Sequence, residues 1–532
     1  MGRTLSKTIS KKTILLFSLA TAITLPLCGC SYDPGPDINL TYADGDADTD
    51  RLLDAFDRDS RTFMDRDPSG EPIDDKELID QEALDAKNEA RDEIIEAAGP
   101  RAESAAKEKI EDLVDKVDLM ETDGRILRNL REIDARGYKS VDLTNEVWSS
   151  SIYNEYRGHT AQRYASRSSS KASSWQKAWA LVSKPGHSFY DIVTSGDADK
   201  IDKLSPAEKY DLLLGSIEDK RDGWLTNYEW GSGRSRMEQE GVVPKWHGYC
   251  HGWAPASISV PRPLRAIDVP AADGQSKIRF YPEDIKALSV ALWANALPRI
   301  RLIGGRCDEK DPQRDSTGRV ISEKCQDGNP GIFHMALVNQ MGVAKKNLLI
   351  DSTYDRQVWN QPLVSYKYRY FNPQTKKSTS RLERAAIARE KFTKDKFEIY
   401  RSPDAVEIVG VSLEIEYKRI TVPKQRQKDS AEYDGTKKVK YLYDLELNRD
   451  GEIIGGEWYQ VRHPDFIWVP ARGETPKTAY EAQAKGPWNL SDPLPESWRE
   501  SGVKASAQGQ PLARIVNALV AASRNETPAE SR

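Results

Sequence analysis

Clustered basic charge is missing from this sequence. Lys and Arg number 78 against 83 Asp and Glu, for a formal net charge of −5 and a pI near 5.9. Nucleic-acid binding calls for a clustered excess of Lys and Arg, so that class of partner is set aside. Long apolar runs are missing too. Residues 13–27 (TILLFSLATAITLPL) form an apolar stretch short of the roughly 20 residues that span a bilayer. Cysteine is scarce, with five in the chain (Cys28, Cys30, Cys250, Cys307 and Cys325), and histidine numbers only six. No EF-hand-type loop marks a calcium site; no cofactor is indicated, and calcium stays open. The residues present are 38% hydrophobic and 30% charged, with mean hydropathy −0.67, a soluble chain with polar or extended sections. At 532 residues it exceeds what one core usually serves, which predicts two or three domains.

Membrane contact is predicted at the N-terminus instead. Arg3, Lys7, Lys11 and Lys12 precede the apolar stretch 13–27, the pattern of an export signal. The stretch ends Leu27-Cys28-Gly29-Cys30, which resembles the bacterial lipobox. That resemblance implies residues 1–29 as a lipoprotein signal peptide and Cys30 as the acylated first residue of the mature chain. An ordinary signal peptide with an incidental cysteine pair is the plainer alternative. Ser31, in place of aspartate, implies outer-membrane sorting in a Gram-negative cell. The expected location is therefore the cell envelope, lipid-anchored, at the outer membrane or cell surface. In that oxidising setting Cys307 and Cys325, which bracket a polar loop, are expected to pair. Closing such a loop contributes about 3 kcal/mol in the chain-entropy model. Cys250 is then left over, and an unpaired cysteine in an exported chain is a candidate reactive thiol.

Composition divides the rest. Residues 30–74 are rich in Asp, Gly and Pro and read as a flexible acidic tether, with too little apolar surface to offset chain entropy. Residues 75–136 turn to Ala, Glu, Asp, Lys, Leu and Ile, broken at Gly99-Pro100, which predicts two helices. Their apolar stripes are short (Ile110, Leu113, Val114 and Val117 on the second), which favours an acidic helical stalk over a partner-binding coiled coil. Residues 137–473, where aromatics appear, read as a globular unit. Helix signals at 174–181 and 205–214 come first, and strand alternation at 406–417, 438–447 and 452–458 follows, the order of an α+β fold. Residues 332–339 and 347–351 flank a turn at Gly342 and suggest a hairpin. Residues 474–532 read as a Pro-, Ala- and Ser-rich tail with one helical piece at 512–522.

The segment that carries chemistry is 245–258, KWHGYCHGWAPASI. Gly248 permits a tight approach, and the Ala- and Ser-containing stretch after Cys250 can continue as a helix. A thiol at a helix N-terminus feels the positive end of the dipole, which favours the thiolate. A cysteine alone is more often an inert core residue; a nucleophile needs a base and a group that orients the base. Of the six histidines, His334 sits in the apolar run 331–338 and Asp351 ends the next run, 347–351. Pairing across Gly342 would make them neighbours, with Asp351 setting the imidazole tautomer. A core histidine, a carboxylate capping a turn, and Asp355 as rival orienter are the alternatives. His247 and His251 flank the thiol, but no fourth ligand or metal-site spacing accompanies them, so no metal site is assigned.

KWHGYCHGWAPASI resembles the nucleophile motif of the elicitor-type transglutaminases. Three further blocks resemble that family. Residues 351–366 (DSTYDRQVWNQPLVSY) contain its elicitor core at 358–362, and residues 204–215 and 452–468 look like the other two. The resemblance implies a papain-like α+β transglutaminase core in which Cys250 is the nucleophile, His334 the general base and acid, and Asp351 its orienter. Better-known transglutaminases carry Gly-Gln-Cys-Trp at the nucleophile, whereas this chain has Gly248-Tyr249-Cys250-His251. The Cys250 backbone N–H suits an oxyanion hole, and Trp246 could add an indole N–H there or simply be a core tryptophan. The implied reaction is acyl transfer from a protein glutamine donor, through a Cys250 thioester, to a primary amine (lysine) acceptor. A glutamine deamidase, a cysteine protease or peptidoglycan amidase on the same fold, and a non-catalytic envelope binding module are the rival readings.

Overall fold

The computed structural model describes residues 44–64, 66, 110, 125–144, 147–216, 222–274, 276–304, 313–321, 328–351, 359–460, 462–464 and 466–526. Its strands are β1 (Ser140–Asp142), β2 (Ile267–Pro270), β3 (Lys277–Phe280), β4 (Ile300–Gly304), β5 (Leu348–Asp351) and β6 (Asn360–Asn372). Then follow β7 (Lys377–Thr379), β8 (Ile387–Ala388), β9 (Glu407–Arg419), β10 (Gly435–Leu447), β11 (Ile453–Gly455) and β12 (Phe466–Pro470). The main sheet runs β11-β10-β9-β6-β5-β12-β4, with β1 and β7 on β6 and β8 on β9. Every pairing in it is antiparallel. Helices precede and cover this sheet, so the fold is mixed helix and antiparallel strand, as the α+β expectation had it.

The two longest strands form where apolar and polar residues alternate. β9 and β10 pair without slippage from Arg419 opposite Gly435 to Glu407 opposite Leu447. Among the helices, Ser205 and Glu208 form a capping box, and Pro206 opens the helix Pro206–Leu214. Ser174 caps Trp175–Ser183.

The sheet's two faces bury different helices, and this positions the site. On one face Leu349, Phe466 and Trp468 pack with Ala254, which belongs to the helix Cys250–Ser259. On the other, Leu348, Ile350, Leu363 and Ile467 pack with Phe333 and Met335. Side chains alternate between faces along a strand, so neighbours in β5 and β12 serve opposite cores. The sheet stands between the two groups of helices.

Four expectations change on this frame. Residues 332–339, read as the first strand of a hairpin with its turn at Gly342, are helical: Pro330–Ala336 is an α-helix that continues as a π-helical segment, Leu337–Val343. A short apolar run bounded by turn signals does not distinguish strand from buried helix. Here Pro330 opens the helix and the Asn329 side chain accepts from the Gly331 N–H. Part of the expected flexible tether is folded. Ala47–Arg58 and Ser60–Met64 are helices whose Leu52, Leu53, Phe56 and Phe63 pack with Phe371, Leu442 and Tyr459. The last part of the expected stalk, Leu130–Ala135, buries Leu130 and Ile133 in the sheet's core, while most of that stalk lies outside the described residues. The expected tail also joins a core: Trp488, Trp498, Ile515 and Leu519 pack with Tyr210, Leu213 and Ile285. Asp44–Arg532 form one compact unit. Cys30, Cys307 and Cys325 lie outside the described residues. Among the described residues no helix is long and apolar enough to cross a membrane.

Candidate active site

Cys250 is the first residue of its helix and is only 8% exposed. The loop before it is tied down at several points. Tyr249 N–H donates to Ile152 O (2.6 Å), Glu155 N–H to His247 O (2.9 Å), and the Asn154 amide to Lys245 O (2.8 Å). Gly248 allows this approach, since a Cβ there would lie 2.7 Å from Ile152 O. Gly252, in the next turn, does the same against the helix Pro282–Asn295, where a Cβ would meet Val290 O at 2.4 Å.

The facing sheet supplies the thiol's partners. Asp351, the last residue of β5, pairs directly with Asn360, the first of β6. Leu349 pairs with Trp468 of β12. By alternation Asp351, Leu349, Asn360 and Trp468 share the face that the Cys250 helix covers. The Asn360 amide Nδ2 donates to Cys250 Sγ across 3.6 Å, and Trp468 Nε1–H donates to Asn360 Oδ1 at 2.8 Å. Asp351 is fully buried, and its Oδ1 accepts from the Trp359 N–H at 2.9 Å.

These contacts compete over the thiol. Burial pushes the Cys250 pKa above the usual thiol range. The Asn360 side-chain amide, the Asn360 backbone N–H and the His251 backbone N–H pull it back, and the Asp351 charge pushes it up again. The result is a protonated thiol that feels the Asp351 charge and is met by N–H donors that would hold its thiolate.

The imidazoles of His247, His159 and His251 are held by other partners or are neutral. His247 Nδ1 pairs with Glu155 Oε2 at 2.8 Å. Burial alone would raise the Glu155 pKa, but that bond and the charges of His247, His159 and Arg236 lower it to about 2. His159 stacks on Tyr249 with ring centroids 4.0 Å apart. His251 is lowered to about 4 by burial and by the charges of His247 and His159, so it is neutral near pH 7. Trp246 is half-buried, edge-on to His247, and its indole N–H has no hydrogen-bond partner among the described residues. No group of three or more His, Cys, Asp or Glu among the described residues could hold a metal ion.

A family model for the transglutaminase elicitors matches residues 124–482. The chain belongs to the transglutaminase elicitor family. The crystal structure of the GP42 transglutaminase from Phytophthora sojae is 19% identical to it, covering 75% of this chain and 98% of that one, with a TM-score of 0.45. No curated protein matches the sequence.

In this member of the transglutaminase elicitor family, two of the three sequence-level candidates come together and one does not. Cys250 and Asp351 share the site. His334 lies in the helix Pro330–Ala336, whose flanking Phe333 and Met335 pack on the opposite face of the sheet. Its Nδ1 shares a 2.8 Å hydrogen bond with the Tyr443 hydroxyl, and its ring stands edge-on to Tyr368. Burial alone lowers its pKa to about 3, with no contribution from Asp351 or Cys250. The hairpin that would have delivered His334 to Asp351 does not form, because residues 330–343 are helical. Asp355 lies outside the described residues. Asn360 and Trp468 were missed as site residues. Each sits in a block that resembles the family, yet only the register of β6, β5 and β12 brings them to the thiol.

Proposed function

We propose that this protein is a thioester-forming acyltransferase, a protein-glutamine γ-glutamyltransferase, with Cys250 as its nucleophile. The observation that carries the reading is the Cys250 thiol at a helix start, held by the Asn360 amide and packed on the sheet face that carries Asp351. Family membership supports the reaction class.

The proton path follows from the groups at hand. Asp351, rather than His334, accepts the thiol proton as sulfur attacks the glutamine γ-carboxamide carbon. The resulting acid protonates the leaving nitrogen, ammonia departs, and a Cys250 thioester remains. In the second half, Asp351 takes a proton from the incoming primary amine as it attacks the thioester. Cys250 leaves as thiolate and recovers its proton, and an isopeptide bond is formed. Water in place of the amine would release glutamate, making the enzyme a deamidase. Trp246, whose indole N–H has no partner among the described residues, is a candidate second donor to the oxyanion. A lipid anchor at Cys30 would hold this activity at the outer membrane, acting on envelope or external proteins.

The direct test is incorporation of a fluorescent primary amine into a glutamine-rich protein by the chain lacking only its signal, beside Cys250→Ala. Incorporation that disappears in the variant is expected. Ammonia release without incorporation would identify a deamidase. Neither signal, together with release of fragments from purified cell wall, would replace this reading with an amidase.

A further inference from the structure

The sheet side of the site contains a relay that the reaction scheme above does not use: Trp468 to Asn360 to Cys250. Its two links point in a fixed order. Trp468 Nε1–H can only donate, so the Asn360 atom it meets at 2.8 Å must be the carbonyl oxygen. That assigns the other end of the amide, Nδ2, to the sulfur 3.6 Å away. An Asn side chain has two nearly equal flip states, and here one indole N–H selects between them. The arrangement is also enclosed, with Trp468 0% and Asn360 1% exposed, so water cannot substitute for either partner.

Position along the chain reinforces it. Asn360 begins β6 opposite Asp351, and its own backbone N–H also reaches the thiol. Trp468 is held in β12 between β5 and β4, opposite Leu349 and Leu302. Pairing on both sides fixes its backbone, and packing against Ala254, Leu349 and Phe466 confines its ring. A neutral donor facing a thiol has little to gain in the ground state. A donor facing a thiolate, or an oxyanion formed beside it, gains a charge-assisted bond.

We infer that Asn360 is a catalytic residue whose amide stabilises the Cys250 thiolate and, through its second N–H, the oxyanion of the tetrahedral intermediate. Trp468 is the positioning residue that locks the amide in the donating flip. This rests on the reading of Cys250 as nucleophile. The oxyanion role follows the general rule that a preorganised donor acts most strongly where charge develops.

The test uses Asn360→Leu and Trp468→Phe, the second keeping the packed ring while removing only its N–H. Two readouts are taken on protein whose melting transition matches the parent. The first is the pH profile of Cys250 alkylation by iodoacetamide, which needs no enzymatic activity. The second is the rate of ammonia release from a glutamine peptide. Asn360→Leu is expected to shift the alkylation midpoint to higher pH, slowing alkylation roughly tenfold at fixed pH for each pKa unit. It should also slow ammonia release by about 10²–10³-fold in kcat. Trp468→Phe should move both readouts in the same direction by less. An unchanged alkylation profile in both variants overturns the inference. If the profile shifts but the parent releases no ammonia, the relay stands and the acyltransferase reading falls.

Discussion

Asp351→Asn is expected to reduce amine transfer by roughly 10²–10⁴-fold, the usual contribution of a positioned proton acceptor. His334→Gln is expected to leave transfer within an order of magnitude. The contrast arises from the sheet, which carries Asp351 on the face of the Cys250 helix and leaves His334 bonded to Tyr443 on the other. The same Asp351 variant has a second signature of opposite sign. The Asp351 charge raises the thiol pKa, so its removal lowers that pKa and increases the thiolate fraction at any pH below it. Alkylation of Cys250 near pH 8 should therefore be faster in Asp351→Asn than in the parent, although transfer is nearly lost. The faster alkylation follows from the charge alone, so it is the loss of transfer in a folded variant that marks Asp351 as the proton acceptor. A His334→Gln protein that is folded and as inactive as Asp351→Asn would contradict the proposed proton path.

Lys209→Met is expected to destabilise the protein by about 3–5 kcal/mol. Lys209 Nζ lies 2.7 Å from Asp284 Oδ2, and both side chains are 0% exposed. Asp284 also accepts from the Tyr164 hydroxyl at 2.7 Å and the Tyr281 N–H at 2.9 Å, so three donors converge on its carboxylate. Removing the ammonium leaves that charge buried and uncompensated, which costs far more than the pair contributes over an apolar substitute. The consequence reaches the site, because Asp284 stands in the first turn of Pro282–Asn295, the helix against which Gly252 packs. Denaturant unfolding of single and double variants measures the effect. Lys209→Met with Asp284→Leu should recover most of the loss, since it removes both charges together. A loss below about 1 kcal/mol in the single variant would mean that water reaches Asp284 and the pair is not the helix's anchor.

What could be read in advance follows from what is local. Cys250 was legible because its signals lie within a few residues: a glycine, a thiol and a helix-permissive stretch. Strand alternation in β9 and β10 and the Ser205 capping box are local in the same sense. The 330–343 segment was not legible because it is apolar nearly throughout and buried, so helix and strand periodicities look alike there. The docking of Ala47–Arg58 was hidden by its acidic composition. Its carboxylates find partners far along the chain, Asp48 on Lys440 and Asp50 on the Ser378 N–H. Asn360 and Trp468 are separated from Cys250 by more than a hundred residues and meet it only through strand register. Side-chain identity suggested Cys250 as a candidate nucleophile, whereas Asn360 and Trp468 reach it through tertiary pairing.

A Cys250 nucleophile must form a thioester with glutamine. Intact-mass spectrometry of the protein mixed with a glutamine peptide and quenched in acid before amine is added tests it most directly. An adduct of the peptide mass less ammonia is expected, mapped to Cys250, discharged by a primary amine and missing in Cys250→Ala. Peptide turnover with no such adduct, or an adduct that persists in Cys250→Ala, would contradict it.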